Sequence, residues 1–231
     1  MKDFSIFEEK IGIEFKNKEL LKQAFTHRSY INENAGIVSG HNERLEFLGD
    51  AVLELVTTEE LFAKFPNKPE GELTSIRAAM VNTVSIGDAA KNLGANDFLL
   101  LSKGETKDTG KARSYILANT FEAIVGAIYV DSGYENAKKF ISDCLFGEIE
   151  KIVRDKTYID SKSLVQEKAQ EAVGTTPSYE VVSEVGPDHD KNFTIAIYFG
   201  EEKVATGKGK SKQEAEQEAA KNALVKKGWL K

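Results

Sequence analysis

Apolar residues recur at three- and four-residue intervals through the first 156 positions, and each recurrence stops at glycine or proline, which predicts a succession of helices. Leu45, Leu48, Val52 and Leu55 fall on one face of a helix opening near Glu43. "ELTSIRAAMVNTVSIGDAAKNLG" reads as a further helix ending at Gly94, and "ILANTFEAIVGAIYV", Ile116 to Val130, as one that is apolar nearly all round. Between them "SKGETKDTGKARS" reads as a polar loop, long enough to be functional rather than a plain connection. No strand pattern stands out in this part.

After "RDKTYID" the pattern changes. Ser161 to Val173 has helical spacing and ends at Gly174. "SYEVVSEVG", "NFTIAIYFG" and "KVATGKGK" are then rich in β-branched and aromatic residues, and "SKQEAEQEAAKNALVKKG" closes the chain as a helix. The expected fold class is therefore an all-α domain, residues 1–156, followed by a small α+β domain of α-β-β-β-α order, residues 160–231, with the boundary between Lys156 and Asp160.

Composition narrows the function. The 231 residues are 41% hydrophobic, enough for ordinary cores, and contain no apolar run that could cross a bilayer. The start, "MKDFSIFEEKIG", carries acidic residues where a secretion signal needs a basic start and an apolar stretch, so a cytoplasmic location is expected. A single cysteine, Cys144, excludes an internal disulfide, and its setting reads as one buried face of a helix. The net charge of −6 argues against a protein that coats nucleic acid all over. That acidity is not evenly spread: residues 161–231 hold 11 Lys against 11 Asp plus Glu, leaving 20 Lys plus Arg against 26 acidic residues before them. A neutral second domain can still bind nucleic acid through a local patch.

The candidate chemistry lies in carboxylates. In "HNERLEFLGDAVLEL", Glu46 and Asp50 are four apart and stack on one helix face among apolar neighbours, where like charges repel unless a cation joins them. Glu122 is the one carboxylate in the apolar helix, and Asn119 stands one turn before it. Oxygen donors grouped from two helices suit a hard divalent ion, Mg²⁺ above all, which keeps several waters and shares its coordination with substrate phosphates. His27, in "FTHRSY", is expected to be a hydrogen-bonded core histidine in an apolar helix.

These segments resemble a family. "NERLEFLGDAVL" is similar to the signature of ribonuclease III, "ILANTFEAIVGAIYVDSG" to its second acidic segment, and "FTHRSY" and "EGELTSIRAAMVN" stand in the matching order. The last seventy residues resemble its double-stranded RNA-binding domain. The resemblance implies a dimeric endonuclease that hydrolyses double-stranded RNA, with precursor rRNA and structured mRNA as substrates, leaving 5′-phosphate and 3′-hydroxyl ends and short 3′ overhangs. It also implies Mg²⁺ as cofactor, with Mn²⁺ as a substitute, and Glu46, Asp50, Asn119 and Glu122 as the catalytic metal set. By the same resemblance Glu43 and Glu70 support the site, and Phe47 packs across the dimer interface.

One departure matters. The family carries Asp where this chain has Asn119, which offers a carbonyl oxygen but no charge, and whose amide nitrogen is a donor. At an effective dielectric of ~20 and a separation of ~4 Å a lost charge is worth ~4 kcal/mol before screening, so impaired cleavage is expected. The alternative reading is a dimeric double-stranded RNA-binding protein that no longer cuts. For RNA contact the candidates are Ser163, Gln166, Glu167 and Gln170 on the first helix of the second domain, His189 in "GPDHDK", and Lys208, Lys210 and Lys212 at the start of the last helix, where phosphate would meet the lysines and a helix N-terminus.

Overall fold

A computed structural model describes residues 2–34, 40–107, 109–187 and 191–230. The chain divides into two compact units, Met1–Tyr158 and Ile159–Lys231. In the first unit the described elements are helices α1 (Ser5–Ile11), α2 (Lys18–Ala24), α3 (Arg28–Glu33), α4 (Glu43–Lys64), α5 (Glu70–Met80), α6 (Thr83–Asn92), α7 (Lys103–Lys107), α8 (Lys111–Ser132), α9 (Tyr134–Leu145) and α10 (Ile149–Asp155). Among the described residues none of these helices is long and apolar enough to cross a membrane.

The unit is organised around α8. Eleven of its residues are buried, from Ile116 to Ile128, and α4 and α6 make its most extensive contacts. Its crossing with α4 depends on two glycines. A Cβ on Gly49 would stand 1.7 Å from the carbonyl oxygen of Glu122, and one on Gly126 would stand 2.1 Å from that of Leu45. Any side chain there would push the helices apart, so the "LGD" of α4 and the "VGA" of α8 are what allow the two backbones to meet. Phe7, Phe15, Phe25 and Phe121 fill the space around the crossing.

Four expectations need correction. The stretch from Glu72 to Gly94 is two helices, because the side chain of Asn82 accepts hydrogen bonds from the N–H groups of Val84 and Ser85 and so starts α6 afresh. The polar segment after Leu101 contains α7, whose Glu105 N–H donates to Ser102 Oγ, and α8 itself begins at Lys111 rather than Ile116. His27 is not in a helix interior. It is the half-buried N-cap of α3, its Nδ1 accepting from the N–H of Ser29. Leu55 does not share the buried face of Leu45 and Val52: it is exposed, and with Phe47 (82% exposed) and Phe62 (73%) it forms an outward apolar stripe along α4.

In the second unit α11 (Ser161–Val173) is followed by β1 (Ser178–Val185), β2 (Asn192–Phe199), β3 (Glu202–Gly209) and α12 (Lys212–Lys226), with the strands antiparallel in the order β1-β2-β3. Asp160 caps α11, and Gly174, at φ +66°, ends it. Both helices pack on the sheet through Val165, Ala169, Ile197, Phe199, Val204, Ala219, Ala220, Ala223 and Leu224. Helix α12 lies almost on the backbone of β3, since a Cβ on Gly207 would be 2.1 Å from the nitrogen of Ala219. Trp229 stacks on Phe199 with ring centres 5.6 Å apart and closes the end of this core.

Candidate active site and RNA-binding surface

From Ile116 to Ile128 only two side chains of α8 are not buried: Asn119, which is exposed, and Glu122, which is partly so. Both lie on the side of the helix that meets α4. Across the Gly49–Gly126 crossing stand Glu46, partly buried, and Asp50, exposed. The four residues singled out for the metal set are therefore in one neighbourhood, and their electrostatics show it. Burial pushes the Glu122 carboxyl up to about 7, with the charges of Asp50 and Glu46 adding to the effect. The Glu46 carboxyl is raised by burial first, then by Glu43 and Asp50, and a hydrogen bond from Asn119 partly offsets the rise.

Among the described residues Glu46, Asp50 and Glu122 form no ion pair; the Arg28 guanidinium and the His41 ring reach only Glu43. Such carboxylates, crowded and unneutralised, fit a hard cation by donor chemistry. They do not form a closed cage: among the described residues no three His, Cys, Asp or Glu side chains are gathered tightly enough to hold a metal ion by themselves. Mg²⁺ needs no such cage, since it is usually held by one or two carboxylates with waters and substrate phosphates completing the shell.

The remaining candidates are placed differently. Glu43, at the first turn of α4, faces Arg28 at 3.4 Å and His41 at 3.7 Å. Glu70 opens α5, where its carboxylate accepts from Thr74 Oγ1 at 3.0 Å, and it lines a pocket of about 410 Å³ with Phe62, Leu73 and Arg77 rather than joining the acid group of this protomer. Phe47 lies on the exposed stripe of α4. Cys144 is half-buried on α9, and burial pushes its thiol up to about 12, so it stays protonated and unreactive at neutral pH. The hydrogen bond between Asn119 and Glu46 and the Arg28–Glu43 pair were not foreseen. Each joins residues far apart in sequence, and only the one-turn spacing of Asn119 and Glu122 on an apolar helix pointed toward the first.

On the second unit Ser163, Gln166, Glu167 and Gln170 are all exposed and, with Glu171, border a shallow groove on α11. Lys208, Lys210 and Lys212 are exposed at the junction of β3 and α12. Acidic residues are interleaved with them: Glu214 accepts from the N–H of Lys210 at 2.8 Å, and Glu218 from that of Lys208. The Lys212 ammonium lies 5.9 Å from the centre of the Phe193 ring. Lys162 pairs with Glu216 at 2.6 Å, which ties the start of α11 to α12 and fixes the two surfaces against each other. His189 lies outside the described residues.

Comparison with known proteins adds to this geometry. Residues 17–149 match the family model described as ribonuclease-III-like, and residues 161–226 match the double-stranded RNA binding motif. Ribonuclease 3 of Nitratiruptor is 42% identical over 97% of this chain and 96% of its own length. Ribonuclease 3 of Natranaerobius thermophilus is 44% identical over 97% and 96%, and that of Enterococcus faecalis 44% over 94% of each. A solved nuclease domain of ribonuclease III from Campylobacter jejuni, whose structure concerns flexibility in a region involved in dimer formation, superposes with a TM-score of 0.55 at 42% identity, covering 62% of this chain and 98% of that one.

Proposed function

Starting from the fact that the chain belongs to the ribonuclease III family and is a ribonuclease III-type endoribonuclease with a double-stranded RNA-binding domain, we propose that it cuts duplex RNA with Mg²⁺ held between α4 and α8. The observation that carries this reading is the Gly49–Gly126 crossing, which brings Glu46, Asp50, Asn119 and Glu122 together on one partly buried surface with no cation among the described residues to neutralise them. The family is generally metal-dependent; Mg²⁺, with Mn²⁺ as a substitute, is the choice that the all-oxygen donor set supports.

Glu46, Asp50 and Glu122 would hold the ion, and Asn119 would contribute at most a neutral carbonyl oxygen. When bound, a divalent cation supplies the charge that lowers the pKa of a water and stabilises the leaving 3′ oxygen, giving 5′-phosphate and 3′-hydroxyl ends without a covalent intermediate. The chain's own groups prepare for this. With its pKa near 7 the Glu122 carboxyl is partly protonated at neutral pH in the metal-free protein, so ion binding releases a proton from it. The Asn119 side chain partly offsets the rise that burial, Glu43 and Asp50 impose on the Glu46 carboxyl, and the apolar bulk of α8 keeps bulk water from the inner side of the site.

The exposed stripe of Phe47, Leu55 and Phe62 supports a homodimer through α4, which places two sites on opposite strands of a duplex and produces short 3′ overhangs. Precursor rRNA and structured mRNA in the cytoplasm are the proposed substrates, with the α11 face and Lys208, Lys210 and Lys212 as the duplex-binding surface. A labelled RNA duplex tests the reading: it is expected to be cut into short products with Mg²⁺ and to stay intact with Ca²⁺ or chelator. The hydrogen bond that engages Asn119 with Glu46 favours a second reading, a dimer that binds duplex RNA without cutting it, for which the same gel would show retention in every lane and products in none.

A further inference from the structure

We propose that Arg28 is a phosphate-binding residue at the edge of the acid cluster, taking the RNA phosphodiester next to the one that is cut; the inference rests on the nuclease reading above. An acidic surface that must receive a polyanion needs a cation close by, and the first unit is short of them, with 25 acidic against 20 basic residues from Met1 to Tyr158. Among the described residues the carboxylates at the start of α4 meet ion-pairing cations only at Glu43. Glu43 precedes Glu46 by three positions, so the carboxylate that Arg28 meets stands one turn of α4 from the nearest member of the metal set.

The Arg28 pairing is built to be exchanged. Its Nη1 lies 3.4 Å from Glu43 Oε1, with the two side chains 71% and 47% exposed, which makes a weak and screened pair. A guanidinium gains more from a phosphate, to which it donates two parallel hydrogen bonds. Glu43 is not left alone by the exchange. The Nδ1 of His41, which has no hydrogen-bond partner among the described residues, stands 3.7 Å from its other oxygen, and His41 is held by the hydrogen bond from Gln23 Nε2 to its carbonyl oxygen at 3.0 Å. The backbone of Arg28 is fixed in turn, as the first residue of α3 directly after its His27 cap.

The test compares wild-type protein with R28A and R28K, using a labelled RNA duplex in Ca²⁺ so that binding is read without cutting, and Mn²⁺ alone for the free protein. R28A is expected to bind the duplex about tenfold more weakly, with a log–log salt slope smaller by about one, while R28K recovers part of the loss. Thermal unfolding and Mn²⁺ affinity of the free protein are expected to stay at wild-type values. Duplex affinity and salt slope unchanged in R28A overturn the proposal, as does a loss confined to Mn²⁺ affinity, which makes Arg28 only a partner of Glu43. Wild-type protein that binds the duplex but leaves it intact with Mg²⁺ sinks the nuclease reading instead, and the binding comparison still decides the role of Arg28.

Discussion

In the proposed mechanism Asn119 is the residue on which catalytic strength turns. It occupies one of only two solvent-reaching positions on the buried half of α8, and its amide bonds to Glu46. Asn119→Asp returns a charge of the kind worth up to ~4 kcal/mol at ~4 Å before screening. The exchange is expected to tighten Mg²⁺ binding to the free protein at least tenfold and to raise cleavage by orders of magnitude, while lowering the melting temperature in chelator because a fourth acid joins Glu46, Asp50 and Glu122. Calorimetric metal titration and thermal unfolding with and without Mg²⁺ measure both. At this scale much was legible: a lone carboxylate in an apolar helix, and an acidic pair four apart, mark themselves by the cost of burying or crowding charge. The hydrogen bond from Asn119 to Glu46 was not, because no local rule pairs residues 73 positions apart.

Elements show the same division. The second unit was readable from alternation and caps, since Gly174 ends α11 and the three strands fall where β-branched residues concentrate. In the first unit the break at Asn82 and the short α7 were available as signals, an Asn cap and a Ser-x-x-Glu box at Ser102, but apolar periodicity continued across the first and polar composition hid the second. Helix α4 carries two apolar stripes, one inward and one outward, and a single chain's pattern cannot say which is which. Gly126→Ala puts a methyl group into the Leu45 carbonyl and is expected to cost about 3 kcal/mol or more and to abolish cutting, with duplex binding by the second unit retained. Denaturant unfolding and a gel shift in Ca²⁺ check the two halves of that statement.

Asp160 links two elements of the second unit and carries a pH dependence. Its carboxylate accepts from Ser163 Oγ at 2.6 Å and Gln217 Nε2 at 3.0 Å, and these bonds, the Ser163 one first, hold its pKa below the usual 3.8. A depressed acid stabilises the fold above its unfolded pKa, and that stability is lost as pH falls from about 4 through the folded value. Asp160→Ala is therefore expected to cost about 1 kcal/mol at pH 7, as for a lost helix cap, and little at the acid end. Trp229, the only tryptophan, reports the unfolding of this unit within the whole chain by fluorescence. A cost that is equal at both ends of the pH range would contradict the assignment.

At the scale of the whole molecule the chain pairs an acidic ribonuclease-III-like unit, the proposed site of cutting, with a charge-balanced unit that carries the double-stranded RNA binding motif. The outward face of α4 is the proposed dimer surface. Phe47→Glu is expected to convert the protein to monomers in sedimentation while each unit keeps its fold, because Phe47 touches little of its own core. The most direct measurement is duplex cleavage by wild-type protein and by Glu122→Gln across a Mg²⁺ titration, with duplex binding recorded in parallel in Ca²⁺. The account predicts equal binding and cutting at least a thousandfold slower in the variant, whereas a variant that cuts at the wild-type rate would show that α8 brings nothing to the chemistry.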